Sequence, residues 1–574
     1  MTEVQHPAAD LSAIVKANDV RGVAGEQLTV EVARALGAAF ADFLSGDSMI
    51  VAHDMRVSSP DLARAVIEGA VRRGAIVADA GLASTDQLYC ASGLHRAAGL
   101  MITASHNPPA DNGMKLCLPG ARPISRATGL DTIRRAAEAY LEAGEIPEHG
   151  EGRAEDLSTL EDYARTLRGL VPLTGRRPLR VVIDAASAMA GHTAPAVLGD
   201  LPSLEIVPLH FTLDGTFPHH PADPLDPANL EDLRQAVRRE GADLGLAFDG
   251  DADRCVVVDE TGTPVPPSAI TALIAQREIA RALAAGEERP VVLANLVSSR
   301  HVAEAVRAAG GEVLRSPVGH SLIKALMAEH GAVFGGEHSA HYYFRDFFSA
   351  DSGMLAALHV LAALEEFDGP ASALVAAHSP YAASGEINVR HEDPAAARAR
   401  VEQELGADPA VEADHLDGLT LTRWDDGAPA EERWWLSLRS SNTEPLLRLN
   451  VEAATPQTLE RVRDTVLGLL DQHPGDAPDQ EAPMADTPLP ETAPADGAGF
   501  DTGHDAGHAA ALPDGPSGAD VPGWVRARLR CPDCGGELRD VEAALQCADC
   551  HRVHAVEGGI PVLIAGRVEA PSTR

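Results

Sequence analysis

Three aspartates alternate in the stretch FDGDADRCVVVDE. Asp249, Asp251 and Asp253 stand at i, i+2 and i+4, directly after an apolar run. Carboxylates that close repel one another unless a cation sits between them, and hard oxygen ligands suit Mg²⁺ or Ca²⁺. An EF-hand is one competing reading, because Glu260 falls at the twelfth position; a solvated acidic turn is another. Arg254, however, stands where the sharp turn of an EF-hand needs glycine, and LGLAF and CVVVD have the character of strands. The pattern therefore predicts a Mg²⁺ site on a loop between two strands.

A second chemical stretch is TASHNPP, Thr103 to Pro109, which follows the apolar run Ala98 to Ile102. A free serine hydroxyl is a poor nucleophile and needs activation. Lys115 in NGMKL lies ten residues on and can return to assist. If Ser105 carries a phosphoryl group, Mg²⁺ on the aspartates can bridge a phosphate oxygen while His106 and Lys115 stabilise charge, and positioning does most of the rest. The prolines stiffen the frame around the serine. Elsewhere, RSSNTEPLLR runs from Arg439 to Arg448, so that two arginines bracket hydroxyls and an amide, an inventory for gripping phosphate or an ordinary surface loop. GGEHSAH offers Glu337, Ser339 and His341, suited to sugar hydroxyls, and VGHSLIK adds His320 and Lys324; either histidine taken singly is also compatible with a core position. A phosphoserine, a metal and a separate phosphate clamp together describe an enzyme that moves phosphate between two positions of one molecule.

The elements that must position these loops recur along the chain. Short apolar runs end in polar, glycine-rich loops and are followed by Ala/Leu/Arg-rich helical stretches, as in SMIVAHDMR, LRVVIDAASAMAG and AVFGGEHSAH. Such alternation predicts an α/β fold with largely parallel sheets, whose ligands gather at the carboxyl ends of strands. The 574 residues allow roughly three to five domains. Turn residues and charge place boundaries near 152, 259 and 372, giving units 1–152, 153–259 and 260–372. A smaller α+β domain follows over 373–473, then an acidic Pro/Ala-rich linker over 474–521 and a small module over 522–567. Between Asp476 and Asp520 there is no Lys or Arg, the composition of a disordered tether.

With 47 basic against 85 acidic residues the net charge is −38, which argues against nucleic acid and anionic membrane as partners. Lysine occurs only at 16, 115 and 324, each inside a segment singled out on other grounds. No apolar leader and no run of 18 apolar residues is present, so a cytoplasmic protein without disulfides is expected. Cys531, Cys534, Cys547 and Cys550 form two CxxC pairs, the pattern of a tetrahedral structural Zn²⁺ site in a module too small to fold on its core alone.

TASHNP, DGDADR, GEHSAH and RSSNTEP, in this order, together with KANDVRG and VGHSLIK, resemble the α-D-phosphohexomutases, specifically the bacterial phosphomannomutase/phosphoglucomutase group, over about residues 10 to 470. The resemblance implies three similar α/β domains and an α+β phosphate-binding domain around a central cleft. It implies Ser105 as the phosphoserine and a metal ligand beside Asp249, Asp251 and Asp253. Arg21, His106 and Lys115 would flank it, and His320 and His341 would be candidates for proton transfer or sugar contact. Glu337 and Ser339 would bind the 3- and 4-hydroxyls of the sugar. Arg254 would join the substrate contacts, and Arg439, Ser441, Asn442, Thr443 and Arg448 would hold the non-reacting phosphate of a hexose phosphate. The reaction would pass through a hexose 1,6-bisphosphate, which also serves as activator, and mannose phosphates are the expected substrates, with phosphoglucomutase activity as the alternative. A phosphatase and a non-catalytic scaffold are the remaining readings. Ala340 replaces the usual glycine of GExSGH, which is tolerable unless the backbone there needs a positive φ. Asn18 stands where an aromatic is common, and Val297 where a relative carries a lysine. The cysteine module is similar to short zinc ribbons that include tRNA-methyltransferase activator subunits, and so reads as a protein-interaction module, with a methyltransferase as one such partner.

Overall fold

The computed structural model describes residues 10–471, except 47, 319, 392, 426 and 441–445, and part of the segment 531–561. The expected linker lies outside the described residues. The chain divides into Met1–Pro478 and Asp479–Arg574.

Among its described residues the larger unit contains four sheets. In the first, the strands Ala98–Ile102, Met49–His53, Ile76–Leu82 and Arg153–Asp156 run parallel, and Asp111–Leu118 and Val20–Val23 add antiparallel edges. The second places Leu244–Phe248 parallel to Leu179–Asp184 and antiparallel to Cys255–Asp259. The third places Phe334–Gly336 parallel to Val291–Asn295 and antiparallel to Tyr342–Phe344. The fourth is antiparallel throughout, in the order Ala382–Arg390, Leu446–Ala453, Trp434–Ser440, Leu419–Arg423, Glu412–Asp414. The strands Ala98–Ile102 and Leu244–Phe248 are buried along their whole length, which is why they read as continuous apolar runs. The strand Arg153–Asp156 continues the first sheet past residue 152. It is exposed at all four positions, so it carries no apolar signal by which sequence could assign it.

The first and fourth sheets have their own apolar cores, whereas one continuous cluster runs through the second and third, from Val181 and Leu246 to Phe334 and Phe344. The three α/β layers meet at Asp86. Its buried carboxylate accepts hydrogen bonds from Ser84, from Tyr163 at 2.7 Å and from Ser352 at 2.6 Å, side chains drawn from all three. Lys324 makes a second joint. It pairs with Asp351, and its ammonium lies 3.8 Å from the centroid of the Tyr89 ring. Among the described residues of the smaller unit, four short strands pair antiparallel: Leu538–Val541, Ala544–Cys547, Val553–Glu557 and Ile560–Pro561. Among the described residues no helix is long and apolar enough to cross a membrane.

Burial pushes the Asp86 carboxyl up to about 7, against the pull of its three hydroxyl donors. Between about pH 4 and 7 the native state therefore holds a proton that the unfolded chain has released, and stability falls as pH rises by up to about 1.4 kcal/mol per pH unit from this group. Asp86→Asn mimics the protonated form and is expected to flatten the pH dependence of the thermal midpoint over pH 5–7. An unchanged slope contradicts that role.

Candidate active site

The chain makes the same manoeuvre in each of the three α/β sheets. A parallel strand ends, a polar loop follows, and the chain returns as an antiparallel neighbour: Ala98–Ile102 to Asp111–Leu118, Leu244–Phe248 to Cys255–Asp259, Phe334–Gly336 to Tyr342–Phe344. Such points of direction change open a crevice at the strand ends. Each loop also holds one non-glycine residue in the left-handed region: Ser105 at φ 51°, Ala252 at φ 61° and Ala340 at φ 62°. Ala340 thus occupies the conformation for which glycine is the usual choice, at about 1–2 kcal/mol for the alanine.

Ser105 is buried and held from several sides. Its N–H donates to Thr103 Oγ1 at 2.9 Å. Arg56, itself 1% exposed, donates to the carbonyls of Ser105 (2.8 Å), Asn107 (2.7 Å), Pro108 (2.7 Å) and Asp111 (3.0 Å), so one guanidinium organises the whole loop. Arg21 donates to the Ala104 carbonyl and to Asn107 Oδ1. Gly250 of the aspartate loop packs directly beneath: a Cβ there would stand 2.2 Å from the Ser105 carbonyl oxygen. Ser105 Oγ donates to Asp249 Oδ2 at 2.8 Å.

Asp249, Asp251 and Asp253 are buried with coordinating oxygens within 4.8 Å of one another. Lys115 Nζ donates to Asp251 Oδ2 at 2.7 Å and to Asp253 Oδ2 at 2.6 Å. Burial raises the Asp249 carboxyl well above its usual range and the Asp253 carboxyl to about 6, and the neighbouring aspartates add to both shifts. Asp251 goes the other way: burial opposes its charge, but Lys115 and a hydrogen bond from Thr85 hold it low. Asp251 Oδ1 and Asp253 Oδ1 are buried without a hydrogen-bond donor. Two orphaned carboxylate oxygens beside Asp249 and a serine hydroxyl form an all-oxygen donor set that fits a hard divalent cation such as Mg²⁺.

The other loops close around this centre. Arg254 Nη2 donates to His106 Nδ1, and its Nε lies 3.3 Å from Asp249 Oδ2. The charge of Arg254, with burial, pushes His106 down to about 2, so the imidazole is neutral: its Nδ1 accepts from Arg254 and lies 3.3 Å from Ser105 Oγ as an uncharged neighbour rather than as a cation. The backbones of Arg254 and His341 form an antiparallel bridge. His341 Nε2 lies 3.6 Å from Asp253 Oδ1, and Ser339 Oγ is 2.9 Å from His341 Nδ1. Glu337 is buried and accepts from Tyr343 at 2.7 Å.

Arg439 and Arg448 face each other directly across neighbouring strands of the fourth sheet, a costly placement for like charges. Glu386 stands near both, 3.8 Å from Arg439 and 3.4 Å from Arg448, and Asp417 lies 3.5 Å from Arg439. Burial lowers the His338 pKa; the charge of Glu386 opposes the shift and that of Arg439 adds to it. Ser441, Asn442 and Thr443 lie outside the described residues. His320 opens the helix His320–His330, but its side chain lies outside them too. Arg56 has no marked role in the sequence; its only signal is a cation three residues past the end of an apolar strand, in SMIVAHDMR. In the smaller unit, the sulfurs of Cys531, Cys547 and Cys550 lie within 4.8 Å of one another, and Cys534 is outside the described residues.

Comparison with known proteins accounts for this arrangement. The four family descriptions for phosphoglucomutase/phosphomannomutase match in order: alpha/beta/alpha domain I over residues 12–143, domain II over 161–262, domain III over 266–381 and the C-terminal domain over 386–469. A phosphomannomutase of Salmonella typhimurium is 38% identical over 469 residues, covering 80% of this chain and 98% of that protein. A phosphomannomutase/phosphoglucomutase of Pseudomonas aeruginosa is 32% identical, covering 79% and 94%. The crystal structure of a phosphoglucomutase/phosphomannomutase family protein from Burkholderia thailandensis superposes with a TM-score of 0.69 at 31% identity, covering 80% of this chain and 97% of the other.

Arg56→Lys keeps the charge but cannot reach all four carbonyls that the planar fork serves. It is expected to destabilise the protein by roughly 2–4 kcal/mol and, because a serine displaced by about 1 Å loses on the order of 100-fold in rate, to lower kcat far more than it raises KM. Thermal unfolding and steady-state kinetics check both; a wild-type kcat contradicts the assignment.

Proposed function

This chain belongs to the phosphoglucomutase/phosphomannomutase family, and from that premise we propose that it interconverts mannose 6-phosphate and mannose 1-phosphate through a phosphorylated Ser105. The chain is an enzyme of the isomerase class, a phosphohexomutase. The observation that carries the mechanism is the Ser105 hydroxyl donating to Asp249 where the three loops meet.

Asp249, Asp251 and Asp253, with an oxygen on Ser105, would hold Mg²⁺, which when bound supplies positive charge to the phosphoryl oxygens. Arg21 and His106 position the serine, and Lys115 keeps Asp251 and Asp253 from repelling one another. A sugar hydroxyl attacks the phosphorus of phospho-Ser105, the P–Oγ bond breaks, and the hydroxyl proton passes to a base in the cleft. His341, next to both Asp253 and Ser339, is the histidine best placed to take it. Glu337 and Ser339 orient the sugar, while Arg439 and Arg448 clamp the phosphate that is not reacting. A dianion between these two guanidiniums relieves the repulsion that Glu386 and Asp417 otherwise offset. The hexose 1,6-bisphosphate then turns end for end and returns its other phosphate to Ser105. Mannose preference rests on the relatives named phosphomannomutase. A dual enzyme acting on glucose phosphates as well is the second reading, favoured by the P. aeruginosa relative, whose name carries both activities.

The cysteine module fits zinc. Cys531 Sγ and Cys550 Sγ are 3.6 Å apart, too far for a disulfide and near the roughly 3.8 Å expected of two thiolates on one tetrahedral ion. Cys534 completes the set in sequence, and the module serves as a partner-binding ribbon.

With Mg²⁺ and a trace of hexose 1,6-bisphosphate, the protein is expected to isomerise mannose 1-phosphate without releasing inorganic phosphate, and Ser105→Ala to lose at least about 10³-fold of that turnover. Phosphate release in place of isomerisation would indicate a phosphatase instead. For the ribbon, replacement of its metal by Co²⁺ is expected to give a thiolate charge-transfer band that Cys531→Ser weakens. A full Co²⁺ complement with no such band contradicts the zinc assignment.

A further inference from the structure

The second sheet carries a group of metal-binding side chains that the phosphoryl-transfer mechanism does not use. The strand Leu179–Asp184 ends in Asp184, and its parallel neighbour Leu204–Leu209 ends just before His210. The chain then runs through FTLDGTFPHH and returns to the same sheet edge at His220. The coordinating atoms of Asp184, His210 and His220 lie within 4.8 Å of one another.

The hydrogen bonds fix how these groups face. His220 Nδ1 is 2.9 Å from the Pro221 carbonyl, which can only accept, so Nδ1 carries the proton of the neutral ring. The lone pair of Nε2 therefore points at Asp184 Oδ2, 3.0 Å away. Two acceptors settle at that distance only with a proton or a metal ion between them; a proton makes His220 the cation of an ion pair with Asp184, whereas a metal ion also engages the third donor, His210, which the fold brings to the same point. The spacing is close to the roughly 3–3.4 Å between two ligands that each stand about 2.1 Å from one zinc-class ion. Asp184 is oriented from behind, because its Oδ1 accepts from the Ala186 N–H at 2.9 Å. His210 is turned inward by a positive φ of 53°, and the His219 ring stacks on it with centroids 3.9 Å apart. The side chains of Asp184, His210 and His220 are 1%, 11% and 13% exposed. Asp232, 56% exposed, lies 3.3 Å from His210 Nε2 at the mouth. Three largely buried ligand-type side chains suit a metal site better than a solvated histidine cluster does.

We propose that Asp184, His210 and His220 bind a zinc-class transition-metal ion at a second site, separate from the Asp249–Asp253 loop. Two imidazoles and one carboxylate select such an ion over Mg²⁺, which takes oxygen ligands and dehydrates reluctantly. The ion fastens the loop between His210 and His220. That loop lies against Arg56: the guanidinium sits 5.0 Å from the Phe217 ring centroid, and a Cβ on Gly215 would meet Arg56 Cα at 2.7 Å. The metal therefore braces the arginine that holds the Ser105 loop, and its removal lowers turnover without abolishing it.

The test uses the full chain with Cys531→Ser and Cys547→Ser, which disables the ribbon, in excess Mg²⁺ to occupy hard-ligand sites, with Co²⁺ as probe in equilibrium dialysis and visible absorption. About one Co²⁺ per chain without a thiolate band is expected, and its affinity should fall at least about tenfold in His210→Gln and in His220→Gln. Circular dichroism checks that each is folded, and His210→Gln, at the pocket mouth, stands as the deciding variant if His220→Gln is not. No Co²⁺ bound in the cysteine-free background, or affinity undiminished in a folded histidine variant, overturns the proposal.

Discussion

Three carboxylates buried side by side cannot all stay ionised unless positive charge is brought to them, and much of this active site follows from that requirement. Asp249, Asp251 and Asp253 have almost no exposure, so water does not screen them. Lys115 supplies one compensating charge and Arg254 another. Two carboxylate oxygens still lack a donor, and a divalent cation is the ligand that suits them. The same charges set the state of their neighbours. Arg254 keeps His106 neutral, and that leaves the Ser105 hydroxyl between a carboxylate and an uncharged ring.

Convergence of the loops is a consequence of topology. Each α/β sheet changes from parallel to antiparallel at one strand, and each places its polar loop there. The loops then contact one another: Gly250 beneath the Ser105 carbonyl, Arg254 against His106, His341 against Asp253. Left-handed backbone at Ser105, Ala252 and Ala340 makes the turns tight enough for this approach, at a conformational cost that the surrounding hydrogen bonds must offset. Arg56 meets that cost at the serine, and Asp86 and Lys324 lock the layers whose alignment brings the loops into register.

Much of this was legible in the sequence because the chemistry is concentrated in short segments. A buried parallel strand shows as an apolar run, and TASHNP, DGDADR and GEHSAH each begin where such a run stops. The residues that act across large sequence distances were not legible. Arg56 and Asp86 carry no local signature; the partners through which they join separate parts of the fold lie about 50 to 270 residues away and become visible only once the sheets have assembled. The edge strand Arg153–Asp156 was missed for the opposite reason, since it is polar and exposed. Ala340 stands out in the sequence as a departure from glycine, but its positive φ is a property of the folded loop. The histidines at 210 and 220 illustrate the same limit: ten residues separate them in sequence, and Asp184 joins them only across the sheet edge.

The central claim is that phosphate passes through Ser105. The most direct measurement is to incubate the protein with Mg²⁺ and hexose 1,6-bisphosphate labelled in its phosphates, then locate the label by peptide mapping. The account requires stoichiometric label on the peptide containing Thr103–Pro109, assigned to Ser105, and its discharge onto mannose phosphate. Label on another residue, or none on a protein that still turns over substrate, would contradict it.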